Sequence, residues 1–138
     1  MIKFTSFPNM VLIALIMGVL QVANAQAVPA CARNYAVQPG DFCDKISATQ
    51  NVSTYQLATV NNAIINPDCS NLFVDEVICL GLVGQDCDQV HVVASGDACS
   101  VIAAQANITT AVLLANNPNV NTGCANIYPG EVLCVAPA

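Results

Sequence analysis

Short stretches of alternating apolar and polar positions give way to runs with helical spacing, and the chain does this twice in the same order. "YAV" (Tyr35 to Val37) and "VHVV" (Val90 to Val93) are β-branched or aromatic and read as strands. Each leads into a Gly-Asp pair, Gly40-Asp41 or Gly96-Asp97, that marks a turn. Apolar positions then recur at helical spacing through "CDKISATQ" and "CSVIAAQA". A second helix follows in both copies. In the first, Ser53 with Gln56 three residues on forms a capping box ahead of Leu57. In the second it reads "TTAVLLANNP", and Pro118 ends it. Each copy closes on a strand, "EVICL" (Glu76 to Leu80) or "EVLCV" (Glu131 to Val135). The predicted order is strand, helix, helix, strand, twice over. The class is α+β.

The cysteines repeat with the pattern. Cys31, Cys43, Cys69 and Cys79 are spaced 12, 26 and 10; Cys87, Cys99, Cys124 and Cys134 are spaced 12, 25 and 10. Val37, Gly40, Asp41, Ile46 and Leu57 return as Val93, Gly96, Asp97, Ile102 and Leu113. Such self-similarity means a repeated structural unit, so two domains are expected, residues 31–81 and 87–138, joined by a linker at 82–86. Units this small bury too little apolar surface to offset chain entropy unaided. Disulfides remedy that, each closed loop of nearly forty residues being worth about 4 kcal/mol on the chain-entropy model. Of the three pairings possible within a quartet, first-to-third with second-to-fourth is expected. It ties the leading segment to the late loop and the first helix to the last strand: Cys31–Cys69, Cys43–Cys79, Cys87–Cys124 and Cys99–Cys134. Zinc would ask for a tighter Cys pair or several histidines. The closest cysteines are Cys79 and Cys87 and the one histidine is His91. No metal and no cofactor are expected.

Compartment and charge narrow the partners. Lys3, the apolar run "MVLIALIMGVL" (Met10 to Leu20) and the small residues Ala23-Asn24-Ala25 have the order of a secretory signal peptide, expected at residues 1–25. The apolar run is short of the about 20 residues a membrane span needs. Three basic residues face nine acidic ones, for a formal charge of −6. Such a surface repels phosphates and anionic lipid, so neither nucleic acid nor a membrane is an expected partner. A neutral ligand is not opposed.

"YAVQPGDFCDKISATQNVSTYQLATVNN" resembles the lysin motif, LysM, with its Tyr-x-Val strand, Gly-Asp-Thr turn, Ile-Ala helix and Val-Ser link to a second helix. "HVVASGDACSVIAAQANITTAVLLANNPNVNTGCANIYPGEVLCVAP" resembles it more closely, with Asn117-Pro118 and "IYPGEVLCV" in place. Four cysteines per repeat are similar to the fungal version, found in secreted chitin-binding proteins that include host-directed effectors. The resemblance implies two tandem βααβ domains, each a two-stranded antiparallel sheet with both helices on one face. It also implies a secreted, extracellular or wall-associated protein that binds chitin and chito-oligosaccharides, with a ligand-induced dimer as a further option.

The resemblance places the ligand in a shallow groove between the turn after the first strand and the loop after the second helix. In the first repeat this sets Pro39, Gly40, Asp41 and Phe42 opposite Ala63, Ile64, Ile65 and Asn66. In the second it sets Ser95, Gly96, Asp97 and Ala98 opposite Asn119, Val120 and Asn121. Glycine lets the backbone approach a sugar and offer its N–H and C=O groups. Ile64, Ile65 or Val120 would cover the acetyl methyl. The Asp41 and Asp97 side chains are expected to cap helices, the backbone around them to meet the ligand, and His91, in place of the strand Tyr, to pack. Three departures from the family pattern bear on the groove. Phe42 and Ala98 replace the Thr after Gly-Asp, Asp75 stands for a Gly, and Asn62 for a Pro.

Enzymatic chemistry is not expected. The carboxylates common to both repeats, Asp41/Asp97 and Glu76/Glu131, sit at a turn and a strand start, and one histidine cannot serve two repeats. A disulfide-rich structural or interaction protein without sugar affinity is the alternative. The sequons Asn51-Val52-Ser53 and Asn107-Ile108-Thr109 occupy matching positions between the helices and are expected to carry glycan on at least one asparagine.

Overall fold

The computed structural model describes residues 29–138, so the expected signal peptide lies outside the described residues. The first unit runs β1 (Cys31–Ala36), α1 (Cys43–Gln50), α2 (Thr54–Val60) and β2 (Val77–Leu82); the second runs β3 (Val90–Val92), α3 (Cys99–Gln105), α4 (Thr110–Asn116) and β4 (Val132–Cys134). Each unit holds one two-stranded sheet, β1 with β2 and β3 with β4. Both pairs are antiparallel, with Tyr35 opposite Ile78 and His91 opposite Leu133. The tandem βααβ architecture is as the residue pattern implies.

β1 starts four residues earlier than "YAV". Cys31, Arg33 and Tyr35 face partly inward and alternate with exposed Ala32, Asn34 and Ala36, but a charged residue on the inner face hides that alternation from a hydropathy reading. The expected disulfide pairing is wrong: Cys31 opens β1 beside the end of β2, and Cys87, three residues ahead of β3, likewise reaches the last strand of its unit. The bonds join first to fourth and second to third: Cys31–Cys79, Cys43–Cys69, Cys87–Cys134 and Cys99–Cys124, with Cα separations of 5.8, 6.0, 6.1 and 6.1 Å. These separations suit a disulfide without backbone movement. One bond in each unit ties the first strand region to the last strand. The other ties the start of the first helix to the long loop.

Each unit buries its own apolar cluster. Val37, Ile46, Val52, Leu57, Ile65, Ile78 and Leu80 form the first, and Val93, Ile102, Ala103, Leu113, Val120 and Leu133 the main part of the second. Each cluster is closed by a buried asparagine at the end of the second helix. Asn61 Nδ2 donates to Leu57 O and Cys79 O (2.8 and 2.6 Å), while its Oδ1 accepts from Cys79 N–H at 2.8 Å. Asn117 repeats this with Leu113 O, Cys134 O and Cys134 N–H, all at 2.8 Å. One side chain thus satisfies a helix-end carbonyl and both polar groups of a strand residue.

The capping box of the first repeat is half formed. Ser53 Oγ accepts from Gln56 N–H at 3.1 Å, but the Gln56 amide turns away to the joint between the units. Its Nε2 donates to Leu80 O and Asp86 Oδ1, both 2.7 Å, and its Oε1 accepts from Cys87 N–H at 2.9 Å. Arg33 holds Asp86 through two nitrogens (2.6 and 2.9 Å) and reaches the Gln50 carbonyl at the end of α1 (2.7 Å). Gly81 leaves room for this cluster, since a Cβ there would overlap the Asp86 carboxylate and the Gln56 amide. On the other side of the joint Val132 N–H donates to Thr54 Oγ1 at 3.0 Å. The segment 82–86 is therefore anchored at Asp86.

Two substitutions measure these local arrangements. Asn117→Ala strands buried backbone groups on Leu113 and Cys134 and is expected to cost about 3 kcal/mol. Ala98 is the N-cap of α3 with extended backbone and no capping side chain, so Ala98→Ser is expected to add about 1 kcal/mol. Urea titration followed by circular dichroism reads both; a neutral Asn117→Ala would contradict the brace.

Candidate functional site

The first wall of each candidate groove is a four-residue turn. Asp41 N–H donates to Gln38 O and Asp97 N–H to Ala94 O, both at 3.1 Å. Gly40 and Gly96 occupy the third positions with φ of 80° and 88°. That is the position at which such a turn demands a left-handed residue, and Pro39 at the second position suits it. Pro39, Gly40, Ser95 and Gly96 are exposed, as are Phe42 and Ala98.

The aspartates stabilise these turns and do not cap the helices. Asp41 Oδ2 accepts from Gln38 N–H (2.9 Å) and from the Tyr35 hydroxyl (2.7 Å), and its Oδ1 pairs with Lys45 at 3.2 Å. Asp97 Oδ2 accepts from Ala94 N–H (2.8 Å) and lies 2.7 Å from His91 Nε2. The N-caps are the next residues, Phe42 and Ala98, which make no side-chain cap bond. Each carboxylate folds back because a strand side chain waits for it; His91 fills the place that Tyr35 fills in the first repeat. The Tyr35 hydroxyl, ahead of the Gln38 amide, holds the Asp41 carboxyl below its ordinary value. His91, then the Ala94 amide, does the same for Asp97.

The second wall is the loop after α2 or α4. Ala63, Ile64, Asn66, Asn119 and Asn121 are exposed. Ile65 and Val120 are not; at 5% and 6% exposure they belong to the cores, so neither can cover a sugar. Of the three apolar candidates Ile64, 47% exposed, is the one available. The Asn119 side chain is committed as well, donating to Glu131 Oε1 at 2.7 Å. Burial raises the Glu131 carboxyl above its ordinary value.

Two residues missed from sequence set the shape of these loops. Asn71 accepts from Asn66 N–H (2.7 Å) and donates to Ile64 O (2.8 Å). Asn126 does the same with Asn121 N–H and Asn119 O, both 2.8 Å. Their signal was an asparagine two residues after the third cysteine of each repeat. The one-residue difference between the repeats also falls here. "NNAII" (Asn61 to Ile65) spans from brace to core where "NPNV" (Asn117 to Val120) suffices, so the second wall of the first repeat is one residue longer. Cys43–Cys69 and Cys99–Cys124 fasten the segments that continue both walls.

These features define a protein of two tandem disulfide-stapled βααβ modules, each presenting a backbone-rich turn beside an asparagine-clamped loop. The LysM domain model matches residues 35–81 and 91–136, and the chain belongs to the LysM family. It is 33% identical over 119 residues to the non-secreted LysM effector LCP1 of Gibberella moniliformis, covering 85% of this chain and 15% of that protein. It is 29% identical over 128 residues to the secreted LysM effector LysM1 of Trichophyton rubrum, covering 76% and 50%. The secreted LysM effector ldpA of Aspergillus fumigatus is 28% identical over 135 residues, covering 76% and 35%. The chain thus spans half or less of each relative's length.

The carboxylates set opposing pH terms. Asp41, Asp86 and Asp97 are held low, so their stabilisation is present above about pH 4 and lost as pH falls through their folded values. Glu131 is held high, so it disfavours the fold as pH rises through its folded value. In melting temperature against pH, Glu131→Gln is expected to gain on the wild type at neutral pH and lose that gain toward about pH 4.5. Asp97→Asn is expected to flatten the fall below about pH 4. A constant offset at every pH for both variants would contradict these assignments.

Proposed function

We propose that this chain is a secreted, non-enzymatic chitin-binding protein of the LysM effector type, with the turn and loop of each repeat forming a groove for N-acetylglucosamine oligomers. The observation that carries the reading is the doubled wall pair. In both repeats an aspartate (Asp41 or Asp97) and an asparagine (Asn71 or Asn126) are engaged in holding the walls, and the turn backbone at Gly40 and Gly96 is exposed. Such a surface suits a neutral polysaccharide, whose acetamido and hydroxyl groups exchange hydrogen bonds with peptide groups. Of the carboxylates shared by the repeats, Asp41, Asp97 and Glu131 are engaged in structural contacts, which speaks against their use as an acid–base pair.

Within this reading the ligand meets Pro39 to Phe42 with Ala63, Ile64 and Asn66 in the first repeat. In the second it meets Ser95 to Ala98 with the Asn119 and Asn121 backbone. A shallow groove binds a short oligomer modestly, because little area is buried against the entropy of association. Two grooves on one chain, or two molecules on one oligomer, raise avidity by about 10²–10⁴-fold. That suits fragment sequestration or shielding of a chitinous wall. Asn51 and Asn107 are proposed glycan sites. Both are exposed, with left-handed φ of 49° and 57°, at the end of the first helix of their repeat.

Pull-down on insoluble chitin is the deciding experiment. Retention that hardly changes with salt is expected, and calorimetry should give tighter binding to a chito-octamer than to a trimer. Equal affinities would remove the multivalent part, and no binding to either would remove the function.

A further inference from the structure

We propose that a cavity between the two repeats is an additional sugar subsite, continuing the first repeat's groove and taking the next N-acetylhexosamine ring of the same chain. The proposal rests on the chitin reading and extends it. The cavity measures about 220 Å³ and is lined by Phe42, Asp44, Thr54, Pro67, Asp68 and Tyr128, with the Cys43–Cys69 bond between its walls. Those walls continue the candidate groove. The turn ending at Phe42 runs on through Cys43 and Asp44, and the loop ending at Asn66 runs on through Pro67 to Cys69. A chain lying between Gly40 and Ile64 is therefore led toward the joint.

The lining has the chemistry of a pyranose site. Phe42 and Tyr128 are 57% and 44% exposed, and apolar ring faces can stack on the C–H face of a sugar. Asp44 supplies acceptors. It takes a bond from Thr54 Oγ1 at 3.1 Å, and the Tyr128 hydroxyl stands 3.3 Å from each of its oxygens. These are long for O–H···O bonds, so the carboxylate has lone pairs to spare for sugar hydroxyls. The volume lies below the roughly 300–1,000 Å³ of pockets that enclose a drug-sized ligand. It suits one ring of a chain passing through. A larger cavity of about 280 Å³ at the joint, bordered by Tyr55, Gln56 and Asn116, has no candidate groove residue in its lining.

The feature belongs to the first repeat alone. Position 100, the counterpart of Asp44, is a serine, and Phe73, the counterpart of Tyr128, does not line this cavity. The first groove should consequently read a longer stretch of ligand than the second.

Amide spectra of the ¹⁵N-labelled full chain with chitotriose and chitohexaose test this. Hexaose is expected to move Asp44, Thr54 and Tyr128 together with Gly40, whereas triose moves Gly40 and leaves Tyr128 nearly still. Tyr128→Ala should weaken hexaose binding about fivefold with triose unchanged, and Tyr128→Phe, which keeps the ring, should bind like the wild type. Hexaose shifts confined to residues 38–42 and 63–66 and their second-repeat counterparts would overturn the subsite. So would a folded Tyr128→Ala with wild-type hexaose affinity. The wild-type spectra decide the matter even if that variant fails to fold. Absence of shifts anywhere with either oligomer would instead overturn the chitin reading beneath it.

Discussion

Each repeat turns on a single buried carboxamide. Asn61 and Asn117 sit where a helix must stop against the closing strand, and that strand leaves one residue with N–H and C=O facing the helix. A carboxamide presents a donor and an acceptor on one plane, as a neighbouring peptide group would. Its second donor proton closes the helix carbonyl four residues back. Asp could not donate and Leu could do neither, so Asn meets the requirement. Helix end, strand and outgoing loop share one anchor, and the second wall of the groove starts two residues after it.

The pattern of apolar positions was enough for the helices and for the doubling, because Ile46, Leu57, Ile102 and Leu113 mark faces that must be buried wherever the chain folds. It was poorer at strands of three to six residues, too short for alternation to stand out. Arg33 on the inner side of β1 disguised the strand start, and with it the closeness of Cys31 to the last strand of the first repeat. Ile65 and Val120 show a different limit. An apolar residue in a loop can face a ligand or dive into the core, and a chain this poor in large side chains needs them in the core. The asparagines at 71 and 126 repeat faithfully, yet an Asn in a loop is too common for its position to announce a clamp.

The walls of the candidate groove are built by side chains that do not face it. Asp41 and Asp97 bend back to the strands, Asn71 and Asn126 clamp the loops, and Asn119 is spent on Glu131. The exposed surface is then largely peptide backbone and small side chains, with Phe42 and Ile64 as the large apolar exceptions. Pre-organised backbone of this kind pays little ordering entropy on binding. Substitution at exposed wall positions can therefore proceed while the wall keeps its shape, as Thr-to-Phe42 and Thr-to-Ala98 have done.

The joint between the repeats draws on several residues that the two copies do not share. Arg33, Asp44 and Gln56 have Gln89, Ser100 and Val112 as their counterparts, and Gly81 is left bare so that the Asp86 carboxylate can accept from Arg33 and Gln56. The tandem arrangement is consequently directional: the two modules present different faces to the joint. A circularly permuted chain with the second module leading would bring the wrong faces together. So would a third copy of the first module added at the end, because it would find no Arg33 and no Gln56 on the module before it. The arrangement behaves like a keyed coupling, in which order along the gene has become part of the structure.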